Sequence, residues 1–455
     1  MIKKVHLSFS HKVIFYYTLI LYLILEETMK KIILIGLLLV VAGNLVFARG
    51  GQQSGGAANT IELWHVQDQN QGPAIIERAA DRFRRDNPSF TANIVPIAND
   101  AYKQRLAVAM AAGRTPDIFH SWSGGPMYEY AKNNQILDLT SYMNANNYKN
   151  RLLDGAVAQA TYQGKIWGVP AFNIAICMVY YNKEIFARYN IAVPTTLREF
   201  EAACDTLKAN GITPFSLANL TRWTGSMYFM YLASRRGGTE PFIRAVDGSG
   251  SFMDPSFIYA GEKIQEWVNK GYFLPGFNGL DWDSGQARAP MYRGDTAMLI
   301  MGSWFITQAQ SEDPDFFSKM GMFVFPRDEQ GTGNGNSLVG TLGDNFLHIS
   351  ASSRYPDQAF NLITRINDDA SVRDWVADGR IPPVKGVTLT HPMLNELFGI
   401  VQRAPDIQLW YDQSLSPDVA QVHLITLQEM FGLTKTPRAA AQELQDAQAA
   451  YLRQR

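Results

Sequence analysis

Two α/β lobes, each an open sheet with helices on both faces, are the fold class this sequence predicts, and three observations predict it. Short apolar runs alternate with stretches of helical periodicity. That β-α-β order occurs after residue 60 and again after residue 168. The 455 residues, 46% hydrophobic and 18% charged, suffice for two or three domains at about 150 residues each. Further helical patterns make the C-terminal part mainly helical, and no repeat of fixed period is present.

In the first unit, residues 61–64 read as a strand and 68–73 as a turn. Ile76, Ala79, Ala80 and Phe83 then recur at i, i+3, i+4 and i+7, the spacing of one buried helical face. Residues 91–97 give a second strand. Asn99 caps a helix with Tyr102, Leu106, Ala109 and Met110 on one side and Gly113 at its end. Residues 117–120 come after Pro116 as a third strand, and the alternation winds into a doubly wound sheet.

In the second unit, residues 176–181 read as a strand, 183–189 as a helix, and 194–210 as a longer helix with Phe200, Ala203, Cys204 and Leu207 at helical spacing. Gly211 closes it and 214–217 return as a strand. Helical patterns recur at 257–270, 356–366, 370–378 and 437–452. The segment "GDTAMLIMGSWF" (294–305) reads as a strand buried on both faces that ends in Gly302, Ser303 and Trp304. Open α/β sheets hold their ligands just beyond the C-terminal ends of such strands.

The N-terminus has the order of a secretory signal: Lys30 and Lys31, an apolar run over 32–41, then Val46-Phe47-Ala48. Cleavage after Ala48 leaves 455 − 48 = 407 residues. Another apolar stretch, 13–25, lies just before Met29. It is short for a span of about 20 residues, so translation is expected to begin at Met29, a membrane anchor being the competing reading. With no cysteine near the cleavage site to carry a lipid, a soluble periplasmic protein is expected. Residues 49–59, rich in Gly, Gln and Ser, form a flexible leader. The formal net charge of −1 supplies no field to recruit nucleic acid or an anionic membrane. Cys177 and Cys204 fit either a disulfide or two buried thiols.

Signals for chemistry are weak. "SWSGG" (121–125) has part of a nucleophile elbow, but its first glycine is Ser121 and no later histidine sits in a catalytic loop, which leaves a secreted α/β hydrolase as an alternative. The seven histidines are scattered without HExxH, and no CxxC occurs, so neither a metal nor a cofactor is expected. "GTGNGN" (331–336) opens no helix and reads as a surface hairpin rather than a phosphate cradle.

Seven motifs, in order along nearly the whole mature chain, carry a resemblance. They are a strand ending in Trp64-His65, "AAGRTPDIF" (111–119), "ILDLT" (136–140), "GKIWGVPAF" (164–172), "VYYNKEIF" (179–186), "VPTTLREFEAACDTLKANGITP" (193–214) and "YRGDTAMLIMGSW" (292–304). Together they resemble the extracellular solute-binding proteins of ABC importers, above all the sugar-binding group (family 1) that includes maltose-binding protein. The resemblance implies a two-lobe periplasmic-binding-protein fold of type II with lobes discontinuous in sequence. Residues 60–171 and 305–350 form one lobe and 172–304 and 351–455 the other, with crossings near 170–173, 302–304 and 347–353. It also implies a monomer that captures a carbohydrate in the interlobe cleft, closes by hinge rotation, delivers it to ABC permease subunits in the inner membrane, and performs no chemistry.

A pyranose has apolar C–H faces and hydroxyls round its edge, so its site needs flat aromatic surface and convergent polar groups. Trp64, Trp122, Trp223 and Trp304 stand at strand ends or in the loops after them, beside polar or small residues; for each, a core tryptophan at a lobe edge is the competing reading, whereas Trp167 and Trp375 read as core. The resemblance favours Trp304 as a stacking platform. It also places polar contacts at Gln67 and Asp68, after the first strand, and at Asn173 at the first crossing. A carboxylate there accepts two hydroxyl hydrogen bonds. Asp281 in "GLDWDSG" is either a contact or the N-cap of a helix running to Arg288. Gly343 and Asp344 in "TLGDNF" occupy a turn where relatives often carry paired glycines, the first being Leu342 here. Trp410 or Asp412 is expected to serve the late-chain part of the cleft. A polyol, an amine or a peptide is the alternative solute.

Overall fold

The computed structural model describes residues 59–343 and 345–454. The signal and upstream start expected at 1–48, and the leader apart from Asn59, lie outside the described residues. Asn59 itself opens the first strand.

The strands in chain order are β1 (Asn59–His65), β2 (Phe90–Pro96), β3 (Ile118–Ser121), the short hairpin β4 (Thr161–Tyr162) and β5 (Lys165–Ile166), β6 (Val169–Ala171), β7 (Ala175–Asn182), β8 (Thr213–Ser216), β9 (Thr296–Gly302), β10 (Met320–Phe323), β11 (Leu338–Thr341), β12 (Asn345–Ile349) and β13 (Ile407–Gln408). One sheet has the order β2-β1-β3-β12-β6, with β1 parallel to β2 and β3, and β12 antiparallel to β3 and β6. The other has the order β13-β11-β7-β9-β8, with β10 also paired to β7.

Helical periodicity places the layers. The helix Gly72–Asp86 buries Ile76, Ala79, Ala80 and Phe83 with Ile61, Leu63 and Ile118 on one face of the first sheet. Because side chains alternate along a strand, Trp64 and Phe119 fall on the opposite face, where the helix Asn99–Ala111 packs Tyr102, Leu106, Ala109 and Met110. Asn99 is not the cap: Ala98 holds that position, and Asn99 Nδ2 donates to Asp100 Oδ1 at 2.9 Å. In the second lobe, Thr196 and Glu199 form a capping box at the start of Leu197–Ala209, which begins three residues later than its apolar pattern and Pro194 suggest. Cys177 and Cys204 are both buried free thiols.

The expected partition of the lobes needs correction. Residues 305–341 belong with the second sheet, because β10 and β11 both pair with β7, and Phe305, Ile306 and Ala309 join the second core. Conversely, the helices Pro356–Ile366 and Asp369–Ala377 pack through Leu362, Ile363 and Trp375 in the first. These pairings join residues distant in sequence, which no local pattern encodes. The chain therefore crosses at 172–174, between β11 and β12 rather than at 347–353, and over 381–389, where Ile381 joins the second core, Val384 still bridges to Leu152 of the first, and Leu389 packs in the second; Gly302–Trp304 is a turn within the second lobe. At the first crossing Phe172 is buried at φ 66°. Ile174 N–H donates to Ile381 O and Ile381 N–H to Asn173 Oδ1, each at 2.8 Å, so the first and third crossings are tied together.

Candidate ligand-binding cleft

Between the two sheets lies a cleft lined by the loop after β1, by residues that follow β3 and β9, and by the helices Asn99–Ala111, Trp223–Gly237 and Trp304–Glu312. Five of the nine tryptophans line it: Trp122, Trp223, Trp282, Trp304 and Trp410.

The turn after β9 explains "GSW". A side chain on Gly302 would bring its Cβ within 2.1 Å of the Trp304 ring, so the glycine makes room for the indole to lie across the strand end. Ser303 Oγ donates to Ile174 O at 3.0 Å and accepts from Ile176 N–H at 3.3 Å, stapling this turn to the first crossing. Trp304 opens the helix Trp304–Glu312 and is half-buried, with its ring centroid 5.9 Å from Trp223 and 6.0 Å from Trp410, at interplanar angles of 65° and 58°. The three indoles form an angled trough. Across it, Trp122 packs edge-on to His120 at 4.7 Å, and Lys103 Nζ lies 5.0 Å from the Trp122 ring and 5.8 Å from Trp223.

Polar groups converge from the loop after β1. Gln67 N–H donates to His65 Nδ1 at 3.1 Å, and the Gln67 amide is held at both ends, Nε2 donating to Asn345 Oδ1 at 3.0 Å and Oε1 accepting from Arg380. Arg380 also donates to Asp378 at 2.9 Å. Burial, reinforced by the charge of Arg380, lowers the His65 pKa to about 3, which keeps Nδ1 an acceptor. Three carboxylates, Asp68, Asp283 and Asp412, line the cleft, and burial raises the pKa of each, that of Asp283 to about 6. Trp410 Nε1, Gln308 Oε1 and Gln413 Oε1 are buried with no hydrogen-bond partner among the described residues.

Of the sites expected from sequence, the structure brings Gln67, Asp68, Trp122, Asn173, Trp223 and Trp304 together in the lining, along with Trp410 and Asp412. Trp64 is corrected: it faces the outer core, its Nε1 donating to Glu62 at 2.9 Å beneath the Arg105 guanidinium. Its neighbour two residues on, Val66, reaches the cleft instead. Asp281 is corrected as a contact, because its carboxylate closes a local turn by accepting from Ser284 N–H at 2.7 Å, while Asp283 enters the lining. Nor does Gly343 line the cleft; it sits at the second crossing, and Asp344 lies outside the described residues. Ser121 and Ser123, the serines of the apparent elbow, are 0% and 1% exposed, so neither presents a nucleophile.

Sequence reasoning missed Lys103, Trp282, Asp283, Asn345 and Arg380. Lys103 sits beside the buried stripe of an amphipathic helix, where a solvated lysine is ordinary. For Asp283 the only signal was the second carboxylate of "DWD".

Residues 67–369 match the profile of the bacterial extracellular solute-binding proteins. The chain belongs to that family. Among curated relatives, this solute-binding protein is 26% identical over 251 residues to an uncharacterised ABC transporter extracellular-binding protein of Pyrococcus horikoshii, spanning 54% of this chain and 55% of that one. It is 24% identical to the multiple sugar-binding protein of Streptococcus mutans, over 72% of this chain and 76% of the relative. A solved structure from work on xylan utilisation by Caldanaerobius polysaccharolyticus superposes with TM-score 0.80 at 31% identity, covering 85% of this chain and 99% of the other. A chitin oligosaccharide binding protein gives TM-score 0.80 at 25% identity, covering 87% and 99%. The two-lobe α/β architecture is thus that of the periplasmic solute-binding proteins.

Proposed function

We propose that this protein is the substrate-binding component of an ABC importer and captures a saccharide between its lobes. The observation that carries the reading is the trough of Trp223, Trp304 and Trp410 facing unengaged polar atoms of the cleft. Indole faces cover the C–H faces of pyranose rings. Asp68 and Asp412 accept hydroxyl hydrogen bonds, and Trp410 Nε1 donates one. Five indoles in one lining favour a carbohydrate over an ion, and relatives named as sugar-binding proteins support the same reading. The chain is exported by its signal, works as a periplasmic monomer, docks on the permease after closure, and leaves its ligand chemically unchanged.

Tryptophan fluorescence of the purified protein, titrated with mono- and oligosaccharides beside polyols and amines, tests this. A saturable change at low micromolar concentration with a saccharide, and no product released, is expected. Silence with every saccharide alongside saturation by a polyol or an amine would contradict it, as would turnover of the sugar.

A further inference from the structure

Across the mouth of the cleft the lobes touch through groups that need no ligand. Asp100, at the N-terminal end of the helix Asn99–Ala111 in the first lobe, donates its backbone N–H to Asp283 Oδ2 of the second at 3.1 Å. Its own Oδ1 accepts from Trp223 Nε1 at 3.4 Å. A third link runs from Gln308 Nε2 to Gln69 Oε1 at 3.0 Å.

The Asp100–Asp283 hydrogen bond is flanked by carboxylates that repel one another. The charges that act on the Asp283 carboxylate are those of the Asp100 carboxylate, across the mouth, of Asp281, on its own loop, and of Asp68, in the loop after β1. Lys103, one turn further along the Asp100 helix, is turned toward the Trp122 and Trp223 rings. Arg288 lies over Trp282 and is paired with Glu312 at 2.8 Å. Parting the lobes exposes Asp283 to water and moves Asp68 and Asp100 away from it. Closing them removes water and brings the three carboxylates together.

We propose that the Asp100–Asp283 contact is a ligand-independent latch whose closure takes up a proton, so that acidification holds the lobes together. The second oxygen of Asp283 receives the proton while Oδ2 keeps the Asp100 N–H. In the closed form burial outweighs the lowering effect of the Asp100 N–H and, with the neighbouring carboxylates, holds the Asp283 pKa at about 6, against an ordinary value of 3.8 once the lobes part. The closed form therefore binds more protons between those values, and the closed-to-open ratio rises about tenfold from pH 7.5 to pH 5.

The test uses two dyes and no ligand. Val108 and Ile243 are exposed, on helices of different lobes, and both native cysteines are buried, so V108C and I243C place one dye on each lobe. Single-molecule energy transfer then reads the closed-to-open ratio from pH 7.5 to 5. The expected result is the tenfold rise, abolished in Asp283→Asn, whose amide oxygen still accepts the Asp100 N–H but cannot titrate. A ratio that does not change with pH, or one that shifts equally in Asp283→Asn, would overturn the latch. Because the readout needs no saccharide, its failure is separate from a failure of the carbohydrate reading.

Discussion

The indole of Trp304 lies across Gly302 because nothing larger than hydrogen fits there, and this single accommodation aims the aromatic surface at the cleft. Truncating Trp304 to alanine removes the centre of the trough, where it touches both Trp223 and Trp410. The expected loss of saccharide affinity is about 2 kcal/mol or more, roughly thirtyfold, as for a buried aromatic anchor, with cooperative unfolding retained. Isothermal titration of Trp304→Ala against the parent checks it, and near-parental affinity would remove the stacking role. Trp304 was legible because small residues and a buried strand precede it. Trp64 carried a similar local signal, yet a strand residue faces one side or the other by alternation, and which side holds the cleft is set by the sheet's partners. Lys103 and Asp283 were illegible for a related reason: part of what surrounds each, Trp223 beside Lys103 and Asp100 beside Asp283, comes from the opposite lobe.

At the scale of elements, β1, β3 and β12 each carry a buried histidine: His65, His120 and His348. Burial lowers all three pKa values, to about 3 for His65 and about 4 for His348, and His120 is lowered further by the facing His348, His65 and Lys103. The unfolded chain, with histidines near 6.5, binds protons that the folded lobe refuses. Stability is therefore complete above pH 6.5 and falls as pH drops toward 4, by about 2 kcal/mol per histidine between pH 7 and pH 5. Asp283, with its raised pKa of about 6, acts in the opposite sense. Comparing the parent with His120→Phe isolates the effect, since a phenyl ring keeps the packing against Tyr102, Trp122 and Phe172. Denaturant titrations at the two pH values are expected to show a smaller acid loss in the variant. An equal loss in both would refute the role of His120. Helices with a one-sided apolar stripe, such as Gly72–Asp86, were legible within a few residues of their ends. Trp223–Gly237, buried for most of its length, has no polar face and gave no periodic signal.

Over the whole molecule, alternation of strand and helix made two α/β lobes legible, and the seven ordered motifs implied their interleaving. The boundaries failed where β10 and β11 return to β7, a pairing fixed by the unfilled edge of a distant strand. The fold achieves a cleft whose two walls come from different lobes, joined beside it through Phe172 and the tie between Asn173 and Ile381. Closure over a saccharide is the function we propose for that cleft. A crystal structure of the protein with the saccharide that saturates its fluorescence is the decisive experiment. A pyranose face in van der Waals contact with the Trp304 indole, and hydroxyls on Asp68 or Asp412, is the expected result. A saccharide bound outside the cleft, or in it without touching Trp304, would contradict it.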